Sequence, residues 1–274
     1  MSQPGAGRPA PRWMAAESLP GCLGDLSHPP AGLWLLGSPH ALAGAPARHV
    51  AVIGTREATP YGIRVAERLA TACARAGLVV VSGMARGVDA AAHRAALAAG
   101  GETIGVQGTG VDVPYPVGHR ALLDAMARAG TVVSEMEPGT PAGPGCFPRR
   151  NRIIAALANV TVVVEAGFRS GAINTATQAL EIGRVVAAVP GRIGDPGSCG
   201  ANLLIRDGAQ VVTDEADLLG LYGLTDRPGA ATAEQVQGGP NALQDWGKSD
   251  WDRRGDYTPL RQSAVERLLA DLGE

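Results

Sequence analysis

From His49 to Gly220 the chain repeats one motif. A short, wholly apolar run bounded by glycine is followed by an alanine-rich stretch with apolar residues at helical spacing. The pattern predicts strands at Val50–Ile53, Leu78–Val81, Thr103–Val106, Thr131–Val133, Val160–Val164, Val185–Val189 and Gln210–Val212. It predicts helices at Tyr61–Ala76, Asp89–Ala99, Gly118–Ala129, Arg149–Ala158, Ala172–Ile182 and Asn202–Arg206, with a closing turn at Glu215–Leu219. Strands that are apolar at every position, not every second one, belong to a parallel sheet buried on both faces. The expected fold class is therefore α/β: an extended Rossmann-like, doubly wound, mostly parallel sheet with helices on both faces.

The flanks read differently. Residues 1–48 form an expected N-terminal arm, loose over 1–18 and extended over 19–49, where Pro29, Pro30 and Pro39 interrupt short apolar pieces. Residues 49–220 are the expected domain and 221–256 a polar, glycine-rich linker. Residues 257–274 hold one amphipathic helix, its apolar face formed by Leu260, Val265, Leu268 and Leu269. No apolar run is long enough to cross a bilayer and no apolar stretch opens the chain, so the expected location is the cytoplasm, with no membrane contact. The four cysteines are widely spaced and include no CxxC pair, which argues against a disulfide scaffold or a structural zinc site. Net charge is −2, so a nucleic-acid partner has to be met by a local basic patch. Of the 24 basic residues only Lys248 is lysine, a bias that matches an alanine- and glycine-rich composition.

Ligands of open parallel sheets bind beyond the carboxyl ends of the strands, so the residues there are the candidates. They are Gly54-Thr55-Arg56 after the first predicted strand and Ser82-Gly83, Arg86 and Gly87 after the second. After the fourth come Phe147, Arg149, Arg150, Asn151 and Arg152, and after the fifth Gly167-Phe168-Arg169-Ser170-Gly171. Glycine lets an anion approach the backbone, and arginine offers a planar fork to phosphate. Together they make a rim suited to a phosphodiester. Phe147 and Phe168, the chain's two phenylalanines, stand beside these arginines, where they either stack on bases or pack on the core. FPRRNR opens a predicted helix with three cations, which the helix dipole disfavours. Either the arginines are used on a ligand, or they pair with carboxylates such as Glu135 and Glu137. Asp89 and His93, spaced i,i+4, read as a structural pair rather than a metal site. Glu135, Glu137 and Glu165 lie where a hydrolase could hold carboxylates, but no GxSxG, HExxH, P-loop or GxGxxG motif stands in its proper context. No catalytic residue, metal or cofactor is expected. Leu203, Leu204, Ile205, Leu218 and Leu219 serve either core closure or a contact between copies.

Read in order, LGDLSHPPAGLWLLGS, IGTREATPYG, SGMARGVDAAAH, GTGVDVPYP, SEMEPG, FPRRNRIIAAL, VVVEAGFRSGAINTA and AVPGRIGDPGSCGANLLIRDGA resemble the DprA/Smf family of DNA-processing proteins over about residues 19–219. The resemblance implies a homodimer that binds single-stranded DNA without catalysis and hands it to the RecA recombinase in natural transformation. It implies that Arg56 grips phosphate and that the Ser82–Gly87, Phe147–Arg152 and Gly167–Gly171 segments line the same pocket. The sequence departs from the family at Gln107, where an apolar residue is usual, and at His119, where asparagine is. The 258–271 helix resembles only the start of the winged-helix module that ends many members. The competing reading is a nucleotide-binding sensor or a nucleotide N-glycosidase-type enzyme. The related nucleotide-cleaving proteins carry a PGGxGT loop, and the corresponding stretch here is Glu165-Ala-Gly-Phe-Arg-Ser-Gly171.

Overall fold

A computed structural model describes residues 9–225. The helix expected at 258–271 and nearly all of the expected linker lie outside them. The described chain runs β1 (Arg12–Ala15), β2 (Gly32–Gly37), β3 (His49–Ile53), α1 (Pro60–Arg75), β4 (Val79–Ser82), α2 (Val88–Ala98), β5 (Thr103–Val106), α3 (Arg120–Ala129) and β6 (Thr131–Ser134). It continues α4 (Cys146–Leu157), β7 (Val160–Val163), α5 (Gly171–Glu181), β8 (Val185–Ala188), α6 (Cys199–Arg206), β9 (Gln210–Val211) and α7 (Glu215–Gly220).

All nine strands form one sheet in the order β1-β2-β6-β5-β4-β3-β7-β8-β9. From β6 to β9 every pairing is parallel. The sheet is thus α/β and mostly parallel, as the pattern predicts. Successive residues of one strand feed opposite cores. Val50 and Val52 pack with α1 and α2, while Ala51 and Ile53 pack with α4 and α5. That two-sided burial is why the strands carry no polar alternation. A third cluster gathers Leu36, Val132 and Met84 under Leu122, Leu123 and Met126 of α3. The chain leaves β3 toward β4, β5 and β6, then returns to β7 on the other side of β3. The strand order therefore reverses between β3 and β7.

The arm departs from its expected form. Residues 12–15 and 32–37 join the sheet, with β2 antiparallel to β6 and β1, at the edge, antiparallel to β2. Trp13 leans on Trp34 at 5.4 Å and covers Gly32, where a side chain would collide with the indole. Between the two strands, Cys22, Leu23 and Leu26 are buried in the α4-side core. The closing leucines divide: Leu204 and Leu218 are fully buried, and Leu203, Ile205 and Leu219 are half-buried.

Helix starts follow local chemistry. The Thr59 hydroxyl accepts from Gly62 N–H at the start of α1, with Pro60 next. Ser170 caps α5, and Asp214 with Asp217 forms a capping box on α7. α4 starts three residues before its predicted Arg149 start. Gly145, at φ 76°, turns the chain into Cys146, and Pro148 is accommodated in the first turn. The arginines consequently follow the first turn instead of opening the helix.

Asp89 and His93 are both buried, each held by partners of its own. His93 is fully buried and its Nδ1–H donates to the Thr103 hydroxyl (2.7 Å), which donates to the Val80 carbonyl (2.7 Å). Burial, reinforced by the Arg150 charge, pushes the His93 pKa down to about 3. Buried His49 is shifted the same way. The His93 ring stays neutral in the fold down to about pH 3, whereas unfolded histidine takes a proton below about 6.5. Stability is then unaffected above that pH and falls as the pH drops toward 3. Urea titrations across pH 7 to 4 are expected to show His93→Gln with a shallower loss than wild type, by about one proton.

Candidate nucleic-acid interface

Three loops meet where the strand order reverses. The Thr55 N–H donates to the Glu165 carbonyl (2.7 Å), and Val88 N–H donates to the Thr55 carbonyl (3.3 Å). Gly87, at φ +75°, has no room for a Cβ against the Thr55 carbonyl oxygen. A Cβ on Gly54 would stand 2.6 Å from Val88 Cγ2 and 2.9 Å from the Glu165 carbonyl oxygen. These two glycines, expected to admit an anion, are required by loop-on-loop packing.

Beneath the loops lies a buried polar layer. Arg150, 6% exposed, donates through Nη1 to the carbonyls of Gly83 and Val106 and through Nε to Asn151 Oδ1 (3.2 Å). Asn151 donates onward to the Gly171 carbonyl (3.3 Å) and to Asn174 Oδ1 (3.0 Å). Asp89 lies beside the guanidinium and accepts from Ala85 N–H (3.4 Å). Burial lowers the Arg150 pKa to about 10 and raises that of Asp89, each opposed by the other's charge. Ser82 is also buried and donates to the Val52 carbonyl (2.7 Å). Gly83 is pressed between Arg150 and Asp89. Ser82, Gly83, Arg150 and Asn151, all read from sequence as ligand contacts, are thus inside the protein. Their polar groups hold the loops. Met84 is the one non-glycine at positive φ (61°) among the described residues, and its carbonyl accepts from His119 Nδ1 (3.0 Å). Gln107 accepts from the Thr109 hydroxyl (2.9 Å) and donates to the Val111 carbonyl (3.3 Å), so both departures from the family pattern have local polar roles.

Above this layer stand exposed arginines and two half-buried rings. The Arg56 guanidinium sits 5.0 Å over the Phe147 ring, and Tyr115 stacks against Phe147 at 4.7 Å. The exposed Arg86 shares its loop with Gly87, which abuts the Arg56 backbone. Arg149 is exposed and lies 3.3 Å from Glu135, which also holds the largely covered Arg152 at 2.5 Å. The carboxylate pairing considered for FPRRNR is therefore present for two of its three arginines. Arg169 is exposed at the tip of the loop whose Ser170 hydroxyl caps α5. Among the described residues Arg56, Arg86 and Arg169 make no ion pair. Tyr115 escaped the sequence reading, although its GTGVDVPYP block was noted. No group of three or more His, Cys, Asp and Glu among the described residues is placed to hold a metal ion. No helix there is long and apolar enough to cross a membrane.

Truncating Arg150 leaves the buried Gly83 and Val106 carbonyls without their donor and removes the charge that favours the ionised form of Asp89. Arg150→Ala is expected to lower unfolding free energy by about 3–5 kcal/mol, read by urea denaturation. Arg149→Ala, on the surface, is expected to change it by under about 1 kcal/mol.

The family model described as DNA recombination-mediator protein A matches residues 12–223. A DprA protein of Mycobacterium tuberculosis is 48% identical over 211 residues, which is 74% of this chain and 54% of that protein. Protein Smf of Escherichia coli is 41% identical over 205 residues, 73% of this chain and 54% of its own. The chain thus spans about half the length of these curated relatives. Among solved structures, DNA processing protein A of Streptococcus pneumoniae aligns with TM-score 0.71 and 39% identity over 76% of this chain and 73% of that one. The Helicobacter pylori protein, whose structure describes a single-stranded DNA binding mode, aligns with TM-score 0.69 and 31% identity over 76% and 94%.

Proposed function

The chain belongs to the DNA recombination-mediator protein A family, and from that premise we propose that it binds single-stranded DNA along the strand-end edge, without catalysis or cofactor. The observation that carries this reading is the half-buried Phe147 ring with Arg56 over it and Tyr115 tilted against it, near the exposed Arg86 and Arg169, which lack carboxylate partners. A guanidinium held over an aromatic ring still has N–H donors to offer a phosphate. The aromatic groups offer a sequence-tolerant platform to bases. Arg56, Arg86 and Arg169 neutralise phosphates, while Phe147 stacks and the exposed Arg149 adds charge. Gly167, Phe168, Ser170 and Gly171 shape the neighbouring loop. Arg150, Asn151, Ser82 and Gly83 act from below as positioning residues.

In the cell this protein works in the cytoplasm as a homodimer, protects incoming single strands and loads RecA onto them. Half-buried Leu203 leaves apolar surface for a contact between copies, while Ile205 and Leu219 pack against the two cores. Light scattering at micromolar concentration is expected to give twice the chain mass, and a monomer would remove the dimer.

Anisotropy of labelled oligo-dT against a matched duplex, across a salt series, tests the DNA reading. Tighter, salt-sensitive binding to the single strand is expected. Arg56→Ala should flatten the log–log salt slope by about 0.7. Phe147→Ala should weaken binding by about 5- to 150-fold, the equivalent of one stacked base. Unchanged affinity and slope in both variants would remove this edge as the DNA site.

A further inference from the structure

A second feature occupies the same end of the sheet. An open cleft of about 600 Å³ lies where the strand order reverses, between the start of α1 and the 190–198 segment after β8. Doubly wound sheets bind ligands at this crevice, and its size is that of a small-molecule site. The proposed DNA-contact residues are absent from its lining. Tyr61, Arg64 and Glu165 line one side, and Arg192, Asp195 and Ser198 the other.

The chemistry of the lining is graded. Glu165, 5% exposed, is the buried acid of the cleft. Its carboxylate accepts from Thr59 N–H (2.9 Å) and from the Thr59 hydroxyl (2.5 Å). A carboxylate therefore already complements the positive end of α1, and a ligand phosphate is repelled from that place. Two oxygens offer about four acceptor positions, so Glu165 retains capacity for hydroxyl donors. Arg64 and Arg192 are exposed and make no ion pair among the described residues, which suits them to the anionic end of a ligand. Tyr61, 46% exposed, supplies a ring for a planar group. Asp195 brings a second carboxylate to this wall, its oxygens turned to Gly197 N–H (2.9 Å) and the Ser198 hydroxyl (3.3 Å), so an anionic group has to sit at the arginines and away from it. The far wall is fixed in advance: Asn202 donates to the Gly191 carbonyl (3.2 Å) and accepts from its N–H (3.0 Å).

We propose that this cleft binds a ribonucleoside monophosphate, its ribose hydroxyls on Glu165, its base on Tyr61 and its phosphate between Arg64 and Arg192. The 2′-hydroxyl is the group that separates this ligand from single-stranded DNA at the neighbouring edge. The site binds and breaks no bond.

Equilibrium dialysis of the full chain against AMP, GMP, CMP and UMP, with retained nucleotide read by chromatography, tests it. At least one is expected to be retained at sub-millimolar concentration, with its 2′-deoxy counterpart at least about tenfold weaker. Arg192→Ala, a surface change, should weaken retention at least about fivefold while oligo-dT affinity stays at the wild-type value. Glu165→Gln, confirmed folded by its thermal melt, should lose the preference for ribose. No retention of any of the four at millimolar concentration, equal retention of the deoxy forms, or an Arg192→Ala variant that binds as wild type would overturn the proposal. The parallel oligo-dT titration keeps that failure distinct from a failure of the DNA reading.

Discussion

The buried guanidinium of Arg150 is the constraint on which the strand-end surface depends. An arginine removed from water is tolerated only when its charge and its donors are matched. Here the carbonyls of Gly83 and Val106 with Asn151 Oδ1 supply acceptors, and the charge of nearby Asp89 opposes part of the cost of burial. The side chain starts on α4, on one face of the sheet. It ends under the β4–α2 loop, whose helix covers the other face. It therefore laces the two helical layers together across the sheet's edge. Asn151 extends the lacing to the start of α5 through Gly171.

This arrangement separates holding from binding. The polar groups underneath are matched to one another, and the loops above them are fixed by glycine contacts at Gly54 and Gly87. A fixed platform lets Arg56, Phe147 and Tyr115 keep one relative geometry without a ligand, which lowers the ordering cost of binding. Glu135 divides the FPRRNR arginines further: it draws Arg152 inward and leaves Arg149 largely in solvent. Three arginines within four residues thus stand in three environments.

Glu165 marks the border between two surfaces. Its carbonyl accepts from Thr55 N–H in the loop carrying Arg56, while its side chain lines the cleft at the start of α1. The DNA edge and the cleft share that short piece of backbone but expose different chemistry. One presents exposed arginines beside half-buried rings, and the other places an acid at depth with cations toward solvent.

The sequence by itself determined the doubly wound core and the neighbourhood of the site. Strands such as Val50–Ile53 and Val160–Val163 are apolar throughout because both their faces are covered, and that requirement is written in consecutive residues. Strand-end loops are legible for the same reason, since chain order fixes which residues follow each strand. Tertiary structure decided what depends on distant partners. Residues 12–15 and 32–37 became strands because β6 offered an open edge, and their prolines and short length hid that pairing. The structure buried Arg150 and Asn151 and exposed Arg149, a division set by what lies across from each side chain, not by its neighbours in the chain. It also formed the cleft of Tyr61, Glu165 and Arg192, whose walls are more than a hundred residues apart in sequence at their extremes and meet only where the strand order reverses. Periodicity reports which face of an element is buried; only the folded chain brings an acceptor to a guanidinium or a wall to a cavity.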